Sequence, residues 1–388
     1  MLRGNNNTAC YRLLHIRGIR NKEIMKILLI GEYSNVHATL ADGLRVLGHE
    51  VTVVSNGDFW KNYPRDIDLT RDDYGKWGGI VYMLRLAKIL PKLKGYDVVQ
   101  FINPKFLELK IRWTRLTFEY LRRNNKKLFL AAYGQDWYWV HENITSFPLR
   151  YSDFNFGKEL RTDKDAMAQR KEWLGTPQGE FNKYMVEKCQ GVIAGLYEYW
   201  ACYHPYLDDT KLTYIPFPIK PKKDITIADT NDKVRIFIGI NKERSVYKGT
   251  DIMLRAAEDV LRRHPDKMEL IKAESVPFND YVKLMSGCDA IIDQLYAYTP
   301  SMNPLEAMSR GLICIGGGEP ENYEIINETE LRPIINVQPN YESVYHEIEQ
   351  LVSHPERVPE LRRQSIEYIN KHHDYIKVAK RYEEYFIN

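Results

Sequence analysis

Several features that would place the chain in another class of protein are missing or scarce. The five cysteines (Cys10, Cys189, Cys202, Cys288 and Cys314) are scattered, odd in number and without a Cys-x-x-Cys pair. This argues against a disulfide or zinc framework and favours a reducing compartment. Apolar runs reach only the length of a strand, so no segment is expected to span a membrane. The formal net charge of +3 is too close to balance to indicate nucleic acid as the main partner.

The composition is that of a folded soluble protein. Hydrophobic residues make up 44% of the chain and charged residues 28%, which argues against long disorder. A chain of 388 residues exceeds one comfortable hydrophobic core, so two domains are expected.

The first 24 residues are set apart by four arginines and no acidic residue before Glu23. Their apolar stretch is interrupted by charge, which excludes a signal peptide, although a transit peptide stays open. We interpret residues 1–24 as a disordered extension or a wrongly assigned start, with Met25 opening the fold.

Alternating strands and helices follow. Lys26–Ile30 is a continuous apolar run, as in a strand buried on both faces of a parallel sheet, and a loop begins at Gly31. Apolar residues then recur at helical spacing as far as Gly48, and Val51–Val54 is the next strand. The start is Rossmann-like but lacks Gly-x-Gly-x-x-Gly, which disfavours NAD.

Two further strands are predicted at 98–102 and 127–131, with a helix at 106–122 between them. The second strand runs into Tyr133-Gly134-Gln135-Asp136-Trp137. A glycine and a carboxylate just past the carboxyl end of a strand are candidate site residues. A turn glycine with an Asx-type helix cap explains them equally well.

A basic run lies near the predicted helix at 106–122. The simplest interpretation is a solvated face, and the alternative is a contact with an anionic membrane. The run consists of Arg112, Arg115, Arg122, Arg123, Lys126 and Lys127.

Three prolines within six residues, Pro216, Pro218 and Pro221, interrupt regular structure, and we place a domain boundary after residue 216. A new sheet opens with strand 234–239. The loop after it carries Arg244 and Lys248 immediately before a helix. Two cations at the positive end of a helix suit a diphosphate, although such a loop is often only solvated.

The segment 289–311 reads as strand, polar loop and helix. Asn303 suits the N-cap of this helix, Pro304 its first position, and Gly311 its end. Glu306 can accept hydrogen bonds from sugar hydroxyl groups. Asn-x-x-Glu is also a capping-box pattern, in which Glu306 would only bond back to the Asn303 amide.

Three motifs together resemble the family-4 retaining glycosyltransferases of GT-B fold, from Met25 onward: Arg244-x-x-x-Lys248-Gly249-Thr250, Val276-Pro277, and Leu305-Glu306-Ala307-Met308-x-x-Gly311. The resemblance implies an α/β protein with two Rossmann-like domains facing across a cleft. Residues 25–216 would form the acceptor-side domain and 217–370 the donor domain, with a helix in 371–388 crossing back to the first.

The resemblance also implies roles for particular residues. Arg244 and Lys248 would bind the donor diphosphate and carry catalysis, and Glu306 would hold the donor ribose. No metal or cofactor is expected. The remaining substrate-binding candidates are Ser301, Met302 and Asn303 at the donor sugar, Pro277 near the base, and Gly31, Tyr133, Gly134 and Asp136 in the first domain.

Two positions depart from the family pattern. Tyr298 stands where the family often has a glutamate, and Tyr133 stands where a histidine commonly precedes Gly-x-Asp. Some members of surface-polysaccharide type have a similar Asp293-Gln294 version of this segment.

The expected activity is transfer of a sugar, with retention, from a UDP- or GDP-linked donor to a glycan or lipid-linked glycan. The setting implied is capsular polysaccharide, exopolysaccharide or glycolipid assembly, in the cytoplasm or peripherally at the inner face of the membrane, with no nucleic acid partner. One alternative is a catalytically silent nucleotide-sugar-binding subunit that supports a partner transferase. The other is a nucleotide-sugar epimerase of the same fold.

Overall fold

A computed structural model describes residues 24–227, 233–274, 276 and 278–388. Structural statements refer to these residues. Most of the expected extension at 1–24 lies outside them, and so does Pro277.

The first half of the chain folds around a parallel sheet of seven strands in the order β3-β2-β1-β4-β5-β8-β9. The strand predicted at 26–30 coincides with β1. The interior residues of β1 are buried, as expected for a parallel strand covered on both faces. The strands are β1 (Lys26–Ile30), β2 (Glu50–Ser55), β3 (Ile67–Asp68), β4 (Val98–Phe101), β5 (Lys127–Ala132), the small hairpin β6 (Asn155–Phe156) and β7 (Glu159–Leu160), β8 (Gly191–Ala194) and β9 (Leu212–Tyr214).

Seven helices connect these strands. The helix predicted at 106–122 begins later, because the Asn103 side chain accepts a hydrogen bond from the Lys105 amide (2.9 Å) and holds the preceding loop in a turn. The helices are α1 (Val36–Val46), α2 (Lys76–Ile89), α3 (Ile111–Asn124), α4 (Trp137–Thr145), α5 (Lys164–Trp173), α6 (Pro177–Lys188) and α7 (Tyr197–Tyr203).

The second half folds around a parallel sheet of five strands in the order β11-β10-β12-β13-β14. Its strands are β10 (Val234–Ile240), β11 (Met268–Glu274), β12 (Ala290–Ile292), β13 (Ile313–Gly316) and β14 (Ile335–Asn336), and its helices are α8 (Ser245–Lys248), α9 (Thr250–Arg263), α10 (Phe278–Met285), α11 (Met302–Met308), α12 (Pro320–Glu324), α13 (Tyr341–Ser353) and α14 (Val358–Tyr368).

The last helix, α15 (Tyr375–Ile387), returns to the first domain and packs on α1. Gly43 permits this, since a Cβ there would lie 2.4 Å from the Tyr375 carbonyl oxygen. Just before α15, Asp374 runs parallel to Ile219 of the linker, whose carbonyl accepts the Tyr375 amide hydrogen (3.0 Å). The predicted crossing helix is therefore confirmed. The chain passes between the domains twice, at neighbouring points.

Among the described residues, no helix combines the length and apolar character needed to cross a membrane.

Candidate donor and acceptor site

The loop that carries the two predicted cations is held tightly against the end of β12. Gly249 has a φ of 70°, and a Cβ there would lie 2.6 Å from the Leu295 Cβ. The Leu295 amide donates to the Lys248 carbonyl (2.9 Å). This contact fixes Arg244 and Lys248 immediately before α9, as the sequence predicted.

Neither cationic side chain makes a hydrogen bond or ion pair with the part of the chain that the structure describes. The Arg244 guanidinium lies over the Tyr247 ring, 4.9 Å from its centroid. Burial lowers the pKa of Lys248. The charges of Asp293 and Asp153 raise it, whereas those of Arg244 and Lys61 lower it further. Two cations that form no ion pair within the described residues, just before a 14-residue helix, make an anion-binding arrangement.

Asp293, one residue past β12, belongs to the same site, although the sequence analysis did not select it. Its Oδ2 atom is buried without a hydrogen-bond partner. Burial raises the pKa of its carboxyl to about 6, while the charge of Lys248 lowers it. Its place at the carboxyl end of a strand was the available signal.

Helix α11 begins two residues earlier than predicted, at Met302 instead of Pro304. Ser301, in extended conformation, occupies the N-cap, and Asn303 instead donates to the Tyr281 hydroxyl (2.9 Å). The prediction of Asn303 as N-cap is wrong because Met302 already has helical backbone geometry. The side chain of Met302 packs into the larger hydrophobic core.

Glu306 does not close a capping box. Its Oε1 atom pairs with Lys222 Nζ (2.9 Å) and with Arg310 Nη2 (2.8 Å). The carboxylate stays partly exposed. Glu306 therefore keeps the accessible oxygen atoms that ribose hydroxyl groups require.

Tyr298, at the position where the family often has glutamate, is buried between the domains. Its hydroxyl accepts the Arg150 amide hydrogen (2.6 Å), and its own amide donates to Glu198 Oε1 (2.7 Å). The Thr299 amide donates to the same oxygen (3.0 Å). Tyr298 thus holds the donor-side loop against the first domain.

The segment after β5 contributes less to the cleft than predicted. Asp136 is fully buried and caps α4, with Oδ1 accepting the Trp139 amide hydrogen (2.9 Å) and Oδ2 accepting the Tyr203 hydroxyl hydrogen (2.5 Å). The prediction that Asp136 binds substrate is therefore corrected to the capping alternative. The Tyr133 hydroxyl bonds to that of Tyr382, away from the donor loop.

Of the other two first-domain candidates, only Gly31 lines a cavity. A Cβ on Gly134 would lie 3.1 Å from the Tyr33 ring, so a side chain there would crowd the loop after β1. Gly31, with a φ of 86°, forms part of the wall of a cavity of about 560 Å³ at the carboxyl ends of β1, β2 and β4. Other residues of that wall are Glu32, Asn56, Phe59, Tyr74, Tyr82, Phe106 and Glu108.

The cavity carries both apolar rings and acidic groups. Glu108 Oε2 is buried without a partner. Burial raises the pKa of Glu32 to about 8, although its carboxylate accepts the Ala38 and His37 amide hydrogens (2.8 and 3.2 Å). Carboxyl oxygens beside aromatic rings suit a sugar, whose hydroxyl groups and apolar ring faces need both.

Charges on both sides of the cleft act on Tyr63. Burial raises the pKa of Tyr63, and the charges of Asp58, Glu32 and Glu306 raise it further. The pKa of Tyr63 is therefore affected both by Glu32 in the cavity wall and by Glu306 in the second domain. The charge of Lys61, two residues before Tyr63, lowers the pKa of Lys248 in the second domain.

Direct bonds also join the two domains beside the cations. The Tyr247 hydroxyl donates to Asp153 (2.8 Å) and accepts from Gln135 (3.2 Å). The Arg161 guanidinium donates to the carbonyls of Val246 and Tyr247, each at 3.2 Å. These contacts link distant parts of the sequence, and local patterns gave no signal for them.

Comparison with known proteins gives a match only at the level of structure. No family model and no curated protein matches the chain. The structure of HepE from Anabaena in complex with UDP-glucose is 13% identical, with a TM-score of 0.56 over 93% of this chain and 98% of that one.

Two further structures extend the comparison. Sucrose-phosphate synthase from Thermosynechococcus elongatus is 12% identical (TM-score 0.61, 93% of this chain, 98% of that one). UDP-GlcNAc 2-epimerase from Neisseria meningitidis, bound to UDP-GlcNAc, is 11% identical (TM-score 0.51, 94% and 100%). Two parallel sheets joined by a linker and a returning last helix, matched along nearly the whole of these chains, give this protein the GT-B fold that the resemblance predicted.

Proposed function

We propose that the protein transfers a sugar from a nucleoside-diphosphate sugar to an acceptor hydroxyl. The observation that carries this proposal is the pair Arg244 and Lys248, which form no ion pair within the described residues and stand immediately before α9. The first domain supplies a sugar-sized cavity. The fold supports it, because structures of the same fold have been solved with UDP and UDP-glucose.

The proposed reaction depends on stabilising the negative charge of the leaving group. Cleavage of the bond between the sugar and the diphosphate leaves negative charge on the departing phosphate. Arg244, Lys248 and the positive end of α9 are fixed beforehand to stabilise that charge, without a metal. Glu306 would hold the ribose hydroxyl groups. The structures with UDP favour a uridine donor, and a GDP-linked donor is the alternative.

The acceptor would enter the cavity in the first domain. Its hydroxyl groups would bond to Glu32 and Glu108, and its ring would lie on Phe59 or Tyr74. Retention would follow the family resemblance, by attack from the face that the diphosphate leaves, with the departing phosphate taking the acceptor proton. A glycan or lipid-linked glycan is the acceptor class we propose.

Three variants test the donor site. Arg244→Ala and Lys248→Ala should each lower turnover by about 100-fold or more, since each removes a charge that stabilises the leaving group. Lys242→Ala is the matched control, because this lysine lies in the same loop but pairs with Glu274 (2.7 Å). Circular dichroism and thermal unfolding check that the fold is intact. Near-normal turnover of both folded variants contradicts the proposal.

A second candidate function is epimerisation of a nucleotide sugar, which the likeness to UDP-GlcNAc 2-epimerase favours. Conversion of purified UDP-GlcNAc without any acceptor would establish it. A third is a silent binding subunit, motivated by Tyr298 at the family's glutamate position. UDP-glucose that raises the unfolding temperature but is neither transferred nor hydrolysed, across a broad acceptor panel, would favour that alternative.

A further inference from the structure

Helix α2 has an apolar face that no part of the described chain covers. Trp77, Ile80, Val81 and Leu84 are 75%, 47%, 53% and 66% exposed. Their spacing places them on one side of the helix. The residues that attach α2 to the domain, Gly78, Tyr82 and Leu86, lie on the other side and are buried.

Tyr74, just before the helix, is also largely exposed, and so is Trp60 in the segment after β2. A contiguous apolar patch of this kind is unusual on a soluble protein and marks an interaction site. The helix is firmly anchored, because the Asp73 carboxylate accepts the Gly75 and Gly78 amide hydrogens (2.7 and 3.0 Å). The aromatic side chains therefore project from a fixed element.

The charged side chains of helix α2 and of the turn after it are all basic. Residues 76–94 contain five basic side chains and no acidic one. Arg85 pairs with Asp72 (3.0 Å), whereas the four lysines have no ion pair within the described residues. These lysines are Lys76, Lys88, Lys92 and Lys94.

We propose that the exposed face of α2 is a docking surface for an anionic lipid bilayer. Trp77 and Leu84 would enter the boundary between headgroups and acyl chains, and the lysines would contact anionic headgroups. The unpaired lysines of residues 76–94 match the charge of anionic headgroups. The proposal concerns binding alone and does not depend on sugar transfer.

This surface differs from the basic run near α3 that the sequence suggested. There, Arg122 pairs with Glu119 (2.9 Å), and Lys127 Nζ donates to the carbonyls of Phe386 and Ile387, each at 2.9 Å. Much of that run is thus engaged within the molecule. A membrane contact through the basic run near α3 stays a prediction. Helix α2, in contrast, combines unpaired lysines with exposed apolar side chains.

Docking through α2 would bring the acceptor cavity to the bilayer. Tyr74 precedes the helix and also lines the cavity, together with Tyr82 on the buried face. If the proposed function holds, an acceptor carried on a lipid could enter the cavity directly from the membrane surface.

The test is sedimentation of the full chain with vesicles of phosphatidylcholine, alone or mixed with phosphatidylglycerol. The native protein should bind the mixed vesicles and not the neutral ones. Trp77→Ser with Leu84→Ser should weaken binding by about tenfold or more, since two large apolar side chains no longer insert. Lys88→Glu with Lys92→Glu should weaken it similarly, at about fivefold per lost cation.

Two control variants change similar side chains elsewhere. Leu116→Ser removes an exposed leucine from α3, and Lys171→Glu reverses an exposed charge on α5. Both should bind as the native protein does. Failure of the native protein to bind, equal binding to neutral vesicles, or unchanged binding of the α2 variants would overturn the proposal. A dimer that only the Trp77 and Leu84 changes dissociate would assign the face to a second copy and overturn it too.

Discussion

Among single side chains, the ionised carboxylate of Asp293 lowers the stability of the folded protein. Its pKa is raised to about 6, so ionisation near neutral pH opposes folding. The contribution of the carboxyl to stability is present below its unfolded pKa and is lost as pH rises through about 6. We predict that Asp293→Asn stabilises the free protein near pH 8 by up to about 3 kcal/mol.

Urea unfolding at several pH values tests this prediction. The difference between variant and native protein should shrink towards zero as pH falls through about 6 to 4. Activity should fall, because Lys248 loses its opposing charge. A variant that is less stable near pH 8, or equally altered at every pH, would show that the carboxylate is held by favourable contacts instead.

The positions of some site residues could be predicted from the sequence, and those of others could not. Arg244, Lys248 and Glu306 lie within local motifs whose spacing sets their position against a helix, and the structure has all three at those positions. Asp136 was ambiguous because a helix cap and a ligand-binding carboxylate share the same local pattern. Lys61, Asp153 and Arg161 act across the cleft, and only the tertiary structure reveals contacts of that separation.

At the scale of elements, the loop before α9 depends on close approach at Gly249. We predict that Gly249→Ala destabilises the protein by clearly more than Gly48→Ala. Both glycines have positive φ, which costs about 1 kcal/mol for alanine. Only at Gly249 would the new Cβ also meet another side chain, 2.6 Å from Leu295 Cβ, whereas at Gly48 there is nothing within 4 Å.

Thermal unfolding and UDP titration of both variants provide the measurement. Gly249→Ala should also lose UDP affinity, since the loop carrying Arg244 and Lys248 must shift. Gly48→Ala should keep it. Equal stability of the two variants would mean that Leu295 moves aside at no cost.

Elements with strong apolar runs were predicted well. Strand β1 matches its prediction because a continuous apolar run of that length suits a strand covered on both faces. The predicted start of α3 was five residues too early and that of α11 two residues too late, since Asn103 and Asn303 both have the chemistry of a turn or a cap. Which of these roles each one takes depends on neighbours that are distant in sequence.

For the whole molecule, the returning helix α15 makes the first domain depend on the end of the chain. Phe386 is buried, and its ring centroid lies 4.9 Å from that of Phe129 in β5. We predict that Phe386→Ala costs about 3–5 kcal/mol. Lys380→Ala, at an exposed position of the same helix, should change stability by less than about 0.5 kcal/mol.

Hydrogen exchange locates the effect of this change. Protection should fall in β1, β4 and β5 of the first sheet and less in β10, β12 and β13 of the second. A loss confined to the second sheet would contradict the packing of α15 described above. The crossing itself was predicted by family resemblance, because an amphipathic helix at the end of a chain does not say which domain it covers.

The chain crosses between the domains at two adjacent points, Ile219 and Asp374, and their position bears on how the domains can move. Topologically, the second domain is an insertion within the first, because the chain enters and leaves it at two adjacent points. Opening and closing of the cleft would then be a hinge rotation about these two adjacent crossings. Spectroscopic probes placed on α1 and α15 would stay at a fixed separation throughout, whereas a probe on α13 paired with one on α3 would report the hinge rotation.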